Sequence, residues 1–62
     1  MFIVLTSKKN EKIAINTKHV VLLGETSKGL YVLMDNEEDF YFKESLSDVL
    51  KNSDFLNTFV EN

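Results

Sequence analysis

The sequence predicts an α+β fold: a five-stranded antiparallel meander or small open barrel, followed by one C-terminal helix and a tail with helical periodicity. Five short apolar segments lie between residues 2 and 43, separated by polar links of a few residues. Links this short join neighbouring antiparallel strands. The periodicity then changes, because Leu46, Val49 and Leu50 share the i, i+3, i+4 spacing of one helical face. The 62 residues form a single small β-rich domain, residues 1–62.

The strands are predicted at residues 2–6, 12–16, 19–25, 30–35 and 39–43. The segment FIVLT is rich in β-branched and aromatic residues, which favour strands. In KIAIN the isoleucines alternate with small or polar residues, a pattern that predicts a strand with one solvent-exposed face. HVVLLGE and LYVLMD form a hairpin around TSKG, where Gly29 can adopt a positive φ. The fifth segment, DFYFK, places Phe40 and Phe42 on one face and Tyr41 on the other.

The helix is predicted over residues 45–53. Ser45 suits its N-cap, and Asp48 three positions later completes a capping-box pattern. The tail that follows repeats a helical spacing in four large apolar residues: Phe55, Leu56, Phe59 and Val60.

Composition argues against several classes of protein. The net charge is −3 with no Arg, so the chain lacks the basic surface typical of nucleic-acid binders. With no Cys and one His, we expect no disulfide, no structural zinc and no cofactor. No apolar run approaches the length of a membrane helix, and the absence of Cys is typical of a reducing cytoplasm, where we expect the protein. The Lys- and Asn-rich composition, without Arg or Pro, suggests an AT-rich bacterial or phage genome.

The strands carry more apolar surface than one helix can cover. The side chains expected to face the helix are Phe2, Val4, Ile13, Ile15, Val20, Leu22, Leu30, Val32, Met34, Phe40 and Phe42. The residues predicted to form an interface are Ile3, Leu5, Val21, Leu23, Tyr31, Leu33 and Tyr41 on the opposite face, with Phe55 and Phe59 of the tail. Each such side chain stabilises by roughly 1.5–3 kcal/mol when buried, so leaving the opposite face in water forgoes on the order of 10 kcal/mol. Either the sheet curls into a barrel, a second copy packs on it, or another protein covers it.

No residue pattern points to catalysis or to a metal site. His19 stands alone, with no Ser, Cys or carboxylate at a spacing that would make it a general base. The acidic run Asp35, Glu37, Glu38 and Asp39 lacks the ligand alternation and the Gly of an EF-hand loop, and is typical of a solvated hairpin turn. We therefore expect a protein that is not an enzyme.

Two further features have a structural and a functional interpretation. The run Phe40, Tyr41, Phe42 could stack bases, but Asp39 and Glu44 flank it where nucleic-acid platforms carry basic residues, so core packing is favoured. Gly24 belongs to no phosphate-binding motif, and inside a strand it predicts a β-bulge or a close backbone approach.

Over residues 3–52 the order of short motifs resembles the FlbD/SwrD family of small bacterial flagellar proteins. The matching motifs are Leu5-Thr6, Ile15-Asn16, Glu25-Thr26, Lys43-Glu44-Ser45 and Val49. Asn10 stands where that family commonly has Gly, and Ser27-Lys28-Gly29 replaces its Pro-containing turn. The resemblance implies a role linked to motility regulation. A weaker similarity, in IAINTKHVVLLGE and KESLSDVLKN, is to the β-rich LytTR DNA-binding domain; its basic base-contacting segments have no counterpart here, so it implies shared architecture only.

We therefore expect a non-enzymatic protein-interaction or regulatory module that forms a homodimer or binds another protein through an apolar sheet face. Two alternatives stay open. A nucleic-acid-binding regulator would use the local cluster Lys8, Lys9 and Lys12, and its binding would weaken with salt. A small-molecule-binding barrel would be a monomer with a lined cavity.

Overall fold

A computed structural model describes residues 1–51 of the chain. Its elements follow in this order: β1 (Phe2–Thr6), β2 (Lys12–Asn16), a short 3-10 helix (Thr17–His19), β3 (Val20–Thr26), β4 (Gly29–Met34), β5 (Asp39–Phe42) and α1 (Leu46–Leu50). The strands form two antiparallel sheets, one of order β1-β2 and one of order β3-β4-β5. Among the residues described, the strands close no barrel, so the coarse α+β prediction is confirmed, whereas a single five-stranded meander is not.

The two sheets meet at the end of β1. Ser7 forms an isolated antiparallel bridge with Phe42, and the Lys43 amide donates a 2.8 Å hydrogen bond to the Thr6 carbonyl. Just beyond β5, the Glu44 carboxylate accepts hydrogen bonds from the Thr6 amide at 2.9 Å and from the Thr6 hydroxyl at 2.8 Å. Within residues 1–51, backbone pairing therefore joins the sheets at one corner only, and the Glu44 side chain extends the junction.

The core lies between the two sheets and under α1. Its buried side chains come from every strand and from the helix: Leu5, Ile15, Val20, Leu30, Val32, Phe42 and Val49. Ile3, Ile13, Leu23, Met34, Phe40 and Leu46 pack against them. The faces predicted for β2, β4 and β5 are therefore confirmed, and Phe40 stacks on Phe42 with ring centroids 5.9 Å apart.

The predicted face of β1 is wrong by one residue. Ile3 and Leu5 face the core, whereas Phe2 and Val4 are 63% and 59% exposed. Every residue from Phe2 to Leu5 is apolar, so both faces of the strand look equally suited to burial. The register decides between them, since the cross-strand pairs Ile3–Ile15 and Leu5–Ile13 place the core residues of the alternating strand β2 beside Ile3 and Leu5.

The prediction for β3 is confirmed at Val20 and Val21 but is wrong at Leu22 and Leu23, because of a β-bulge. The pairing with β4 shifts between Val20 and Leu22, so that Val20 pairs with Met34 and Leu22 pairs with Leu33. The extra residue turns Val20 and Leu23 inward, and leaves Leu22, predicted to be buried, 49% exposed. A bulge or a close backbone approach was expected at Gly24 instead. Gly24 lies in regular pairing with Tyr31, and within residues 1–51 no atom beyond its chain neighbours lies within 4 Å of where its Cβ would be.

The helix begins as predicted. The Ser45 hydroxyl accepts from the Asp48 amide at 3.1 Å and the Asp48 carboxylate accepts from the Ser45 amide, which completes the capping box. The helix ends at Leu50, earlier than expected, and of its apolar face Val49 is buried, Leu46 is half-buried and Leu50 is exposed. The tail with Phe55 and Phe59 lies outside the described residues.

Candidate functional site

The surface of β3-β4-β5 that points away from the core carries a cluster of apolar and aromatic side chains. This outer face consists of Leu22, Tyr31, Leu33 and Tyr41. The backbone register assembles it, because Leu22 pairs with Leu33 and Tyr31 pairs with Tyr41 across the strands. Paired residues of an antiparallel sheet share one face, so the four side chains form one patch. All four are half-buried or exposed.

The two tyrosines give the outer face its shape. Their ring centroids lie 5.2 Å apart with the planes tilted by 52°, a favourable aromatic geometry. The Lys28 ammonium lies 5.7 Å from the centroid of the Tyr41 ring, within the range of a cation–π contact. At the other end of the patch, the Tyr31 hydroxyl donates to the Asp39 carboxylate at 3.1 Å. This hydrogen bond, together with the nearby negative charge, raises the pKa of Tyr31.

Gly24 opens a notch in the outer face. It pairs with Tyr31, so a side chain at this position would share the face with the tyrosines. Among residues 1–51 the space where a Cβ would stand is open, so β3 has no side chain at the position directly paired with Tyr31. The outer face is therefore an aromatic ridge beside a shallow depression, with a cation and an anion at its opposite ends.

His19 lies apart from this patch and contacts a carboxylate that its spacing in the sequence did not predict. Its Nδ1 is 2.7 Å from Asp35 Oδ2, and both side chains are about half exposed. The Asp35 amide also donates to the His19 carbonyl at 2.8 Å, so backbone pairing at the end of the β3-β4 hairpin creates the pair. Within residues 1–51 the His19 side chain has no other hydrogen-bond partner, and no nucleophile accompanies the pair.

The acidic run forms a hairpin turn. The Asn36 side chain accepts from the Glu38 amide at 3.1 Å, and Glu37 adopts a positive φ of 72°. Over residues 1–51, no three His, Asp or Glu side chains come close enough to hold a metal ion.

Two of the three lysines predicted to act together in nucleic-acid binding, Lys8 and Lys12, have different neighbours. The Lys12 ammonium donates to the Thr6 hydroxyl at 2.8 Å, whereas the end of the Lys8 side chain lies beside Gly29. Lys8 does border an open concavity of about 300 Å³, together with Lys28 and Lys43. Glu25 and Glu44 line the same concavity, so it is mixed in charge rather than basic.

The structure divides the residues predicted to form the interface. Tyr31, Leu33 and Tyr41 lie on the outer face, and Val21 is exposed at the bulge. Ile3, Leu5 and Leu23 belong to the core instead. Sequence reasoning missed Leu22, although the signal was present: the run VVLL does not alternate, as expected where a bulge interrupts a strand.

Within residues 1–51, no helix has the length and apolar character needed to cross a membrane. No protein-family model matches this chain, and it has no significant match among curated proteins or solved structures.

Proposed function

We propose that this chain is a small, non-enzymatic protein-interaction or regulatory module that binds through the outer face of β3-β4-β5. The cluster Leu22, Tyr31, Leu33 and Tyr41 is the observation that supports it, because contiguous apolar patches on small proteins mark interaction sites. Tyr is also among the residues enriched at the centres of protein interfaces.

The ends of the outer face favour a second copy of the chain as the partner. Lys28 lies beyond the Tyr31–Tyr41 row, and Asp39 lies in the next row, paired with Leu33. Two copies packed face to face with their strands antiparallel would bring the Lys28 of each near the Asp39 of the other. A twofold interface of this kind is self-complementary, and the tyrosines and leucines would meet at its centre.

We also propose an origin and a pathway for this protein. The composition and the resemblance to the FlbD/SwrD family support a cytoplasmic bacterial or phage protein with a role linked to motility regulation.

Light scattering over a dilution series tests the self-association. We expect the unmodified chain to be dimeric at high concentration and to dissociate on dilution. Leu33→Lys places a charge at the centre of the outer face. It should raise the dissociation constant of the dimer at least about tenfold, which corresponds to a loss of about 1.4 kcal/mol in the free energy of association.

Phe2→Lys is the matched control, because Phe2 is equally apolar and 63% exposed but lies on the other sheet. Circular dichroism of both variants should match the unmodified chain. A chain that stays monomeric at every concentration, or a dimer that Leu33→Lys leaves intact, contradicts the proposed interface.

A further inference from the structure

One edge of β1 is unpaired along most of its length. β1 pairs with β2 on one side, and on the other side it meets β5 only at the Ser7–Phe42 bridge. Thr6 directs its amide and carbonyl away from β2, toward Glu44 and Lys43. Because these groups alternate along a strand, those of Val4 point the same way, and within residues 1–51 no strand pairs with them. A free edge beside apolar side chains is a surface that proteins usually cover.

A groove runs along this edge, between β1 and α1. Its lining residues are Ile3, Val4, Leu5, Glu44, Asp48 and Val49. Glu44 and Asp48 are already engaged, the first by Thr6 and the second by the Ser45 amide, so the surface left available is mainly apolar. Its volume is about 200 Å³. This is less than the roughly 300–1,000 Å³ of small-molecule pockets, and suits the side chains of a peptide segment.

We propose that residues 55–60 of the same chain occupy this groove and cover the free edge of β1. The segment reads FLNTFV: it holds four large apolar side chains and no charge, so it brings no carboxylate toward Glu44 and Asp48. Only four residues separate it from α1, whose Val49 lines the groove and whose last residue, Leu50, is 44% exposed.

Chain connectivity favours this segment over the same segment of a second copy. Between Lys51 and Phe55 the chain spans at most roughly 14 Å, so Phe55 stays close to the end of α1. A short tether of this kind holds a ligand at an effective concentration in the millimolar range, which a free partner at micromolar concentration does not match. The tail therefore covers the β1 edge within its own chain and leaves the outer face of β3-β4-β5 free for a partner.

The absence of Cys from the chain allows a direct test. In the full-length protein, Thr58→Cys provides one site for a nitroxide spin label between Phe55 and Phe59. We expect the label to abolish the amide and methyl signals of Val4 in heteronuclear NMR spectra, whereas Val49, close to the label in sequence, is broadened wherever the tail lies. Reduction of the nitroxide should restore those signals. Because the whole molecule measures only 31 × 25 × 20 Å, Leu33 and Tyr41 on the outer face should also be broadened, but clearly less than Val4.

Two further samples separate the proposal from its rivals. In a mixture of spin-labelled chains without isotopes and ¹⁵N,¹³C-labelled chains without Cys, Val4 and Val49 should keep full intensity. Their loss there would assign the groove to a second copy and overturn the proposal. Phe55→Ser with Phe59→Ser in the spin-labelled chain should raise the intensity of the Val4 signals, whereas the control Asn57→Ser should not. If the Val4 signals are not broadened in the spin-labelled chain, the proposal is also overturned. None of these results depends on whether the outer face dimerises.

Discussion

The two faces of β4 have nearly the same composition and opposite environments. Leu30 and Val32 point inward and are 0% and 1% exposed, whereas Tyr31 and Leu33 point outward and keep part of their surface in water. The inward face is buried because the β1-β2 sheet and α1 lie over it, and no described element covers the outward face. Hydrophobicity alone therefore does not tell which face of a strand is buried. The position of the second sheet decides it.

This difference assigns separate tasks to the two faces. Deeply buried side chains stabilise the fold, since removing one leaves a cavity that neighbouring atoms fill only in part. Half-exposed side chains contribute less to the monomer and gain most of their burial when a partner covers them. Substitutions on the inward face should therefore change the free energy of unfolding, and substitutions on the outward face should change association.

The largest expected effect is that of Leu30→Ala on the inward face. Complete burial of Leu30 implies a loss of about 3 kcal/mol in the free energy of unfolding. Leu33→Ala deletes the same atoms on the outward face, and should cost less than about 1 kcal/mol in the monomer. Urea denaturation below the concentration at which light scattering detects association measures both. Equal losses for the two variants would show that the outward face is covered within the monomer.

The same contrast explains how far the sequence predicts the fold. The face of β2 was predictable because Ile13 and Ile15 alternate with the small or polar residues of KIAIN, and that of β5 because Phe40 and Phe42 alternate with Asp39 and Tyr41. The face of β1 was not, because its residues 2–5 are all apolar and only pairing with β2 selects Ile3 and Leu5. Secondary structure was thus readable from local patterns, whereas orientation depended on contacts between distant segments.

The candidate site was predictable to the same extent. Tyr41 follows from its alternation with Phe40 and Phe42 in β5, and the pairs Tyr31–Tyr41 and Leu33–Asp39 place Tyr31 and Leu33 on the same face. Leu22 required knowledge of the bulge, because a single extra residue exchanges it with Leu23. The contact between His19 and Asp35 was not predictable from spacing, since they are 16 positions apart and the hairpin register brings them together.

The two glycines of the β3-β4 hairpin also differ in their surroundings, and substituting them should change the free energy of unfolding less than Leu30→Ala does. Gly29 adopts a φ of +118°, and a Cβ there would lie 2.6 Å from the Phe42 carbonyl oxygen, a backbone atom that cannot easily move aside. Gly29→Ala should therefore lower the free energy of unfolding by about 2 kcal/mol. Gly24→Ala adds its methyl group to the open notch of the outer face, and should change stability by no more than about 0.5 kcal/mol. Thermal denaturation of the two variants measures the difference, and similar melting temperatures would contradict it.

An effect somewhat smaller than that of Gly29→Ala is expected at Glu44, which helps to hold the second sheet over the inward face of β4. Burial raises the pKa of Glu44, but hydrogen bonds from the Thr6 amide and hydroxyl outweigh it, so the net pKa lies below the usual 4.5. A carboxylate with a lowered pKa stabilises the fold fully above its unfolded-state pKa, and the contribution is lost as the pH falls through the folded-state pKa. Glu44→Gln should cost about 1.5 kcal/mol at neutral pH, because hydrogen bonds to a charged group are lost. In urea titrations the difference in the free energy of unfolding between the two proteins should narrow as the pH falls from neutral to well below 4.5, because the unmodified Glu44 becomes protonated as well. If this difference stays constant over the pH range, the charge of Glu44 contributes nothing to the junction of the two sheets. The backbone contacts at Ser7 and Phe42 would then be sufficient to hold the sheets together.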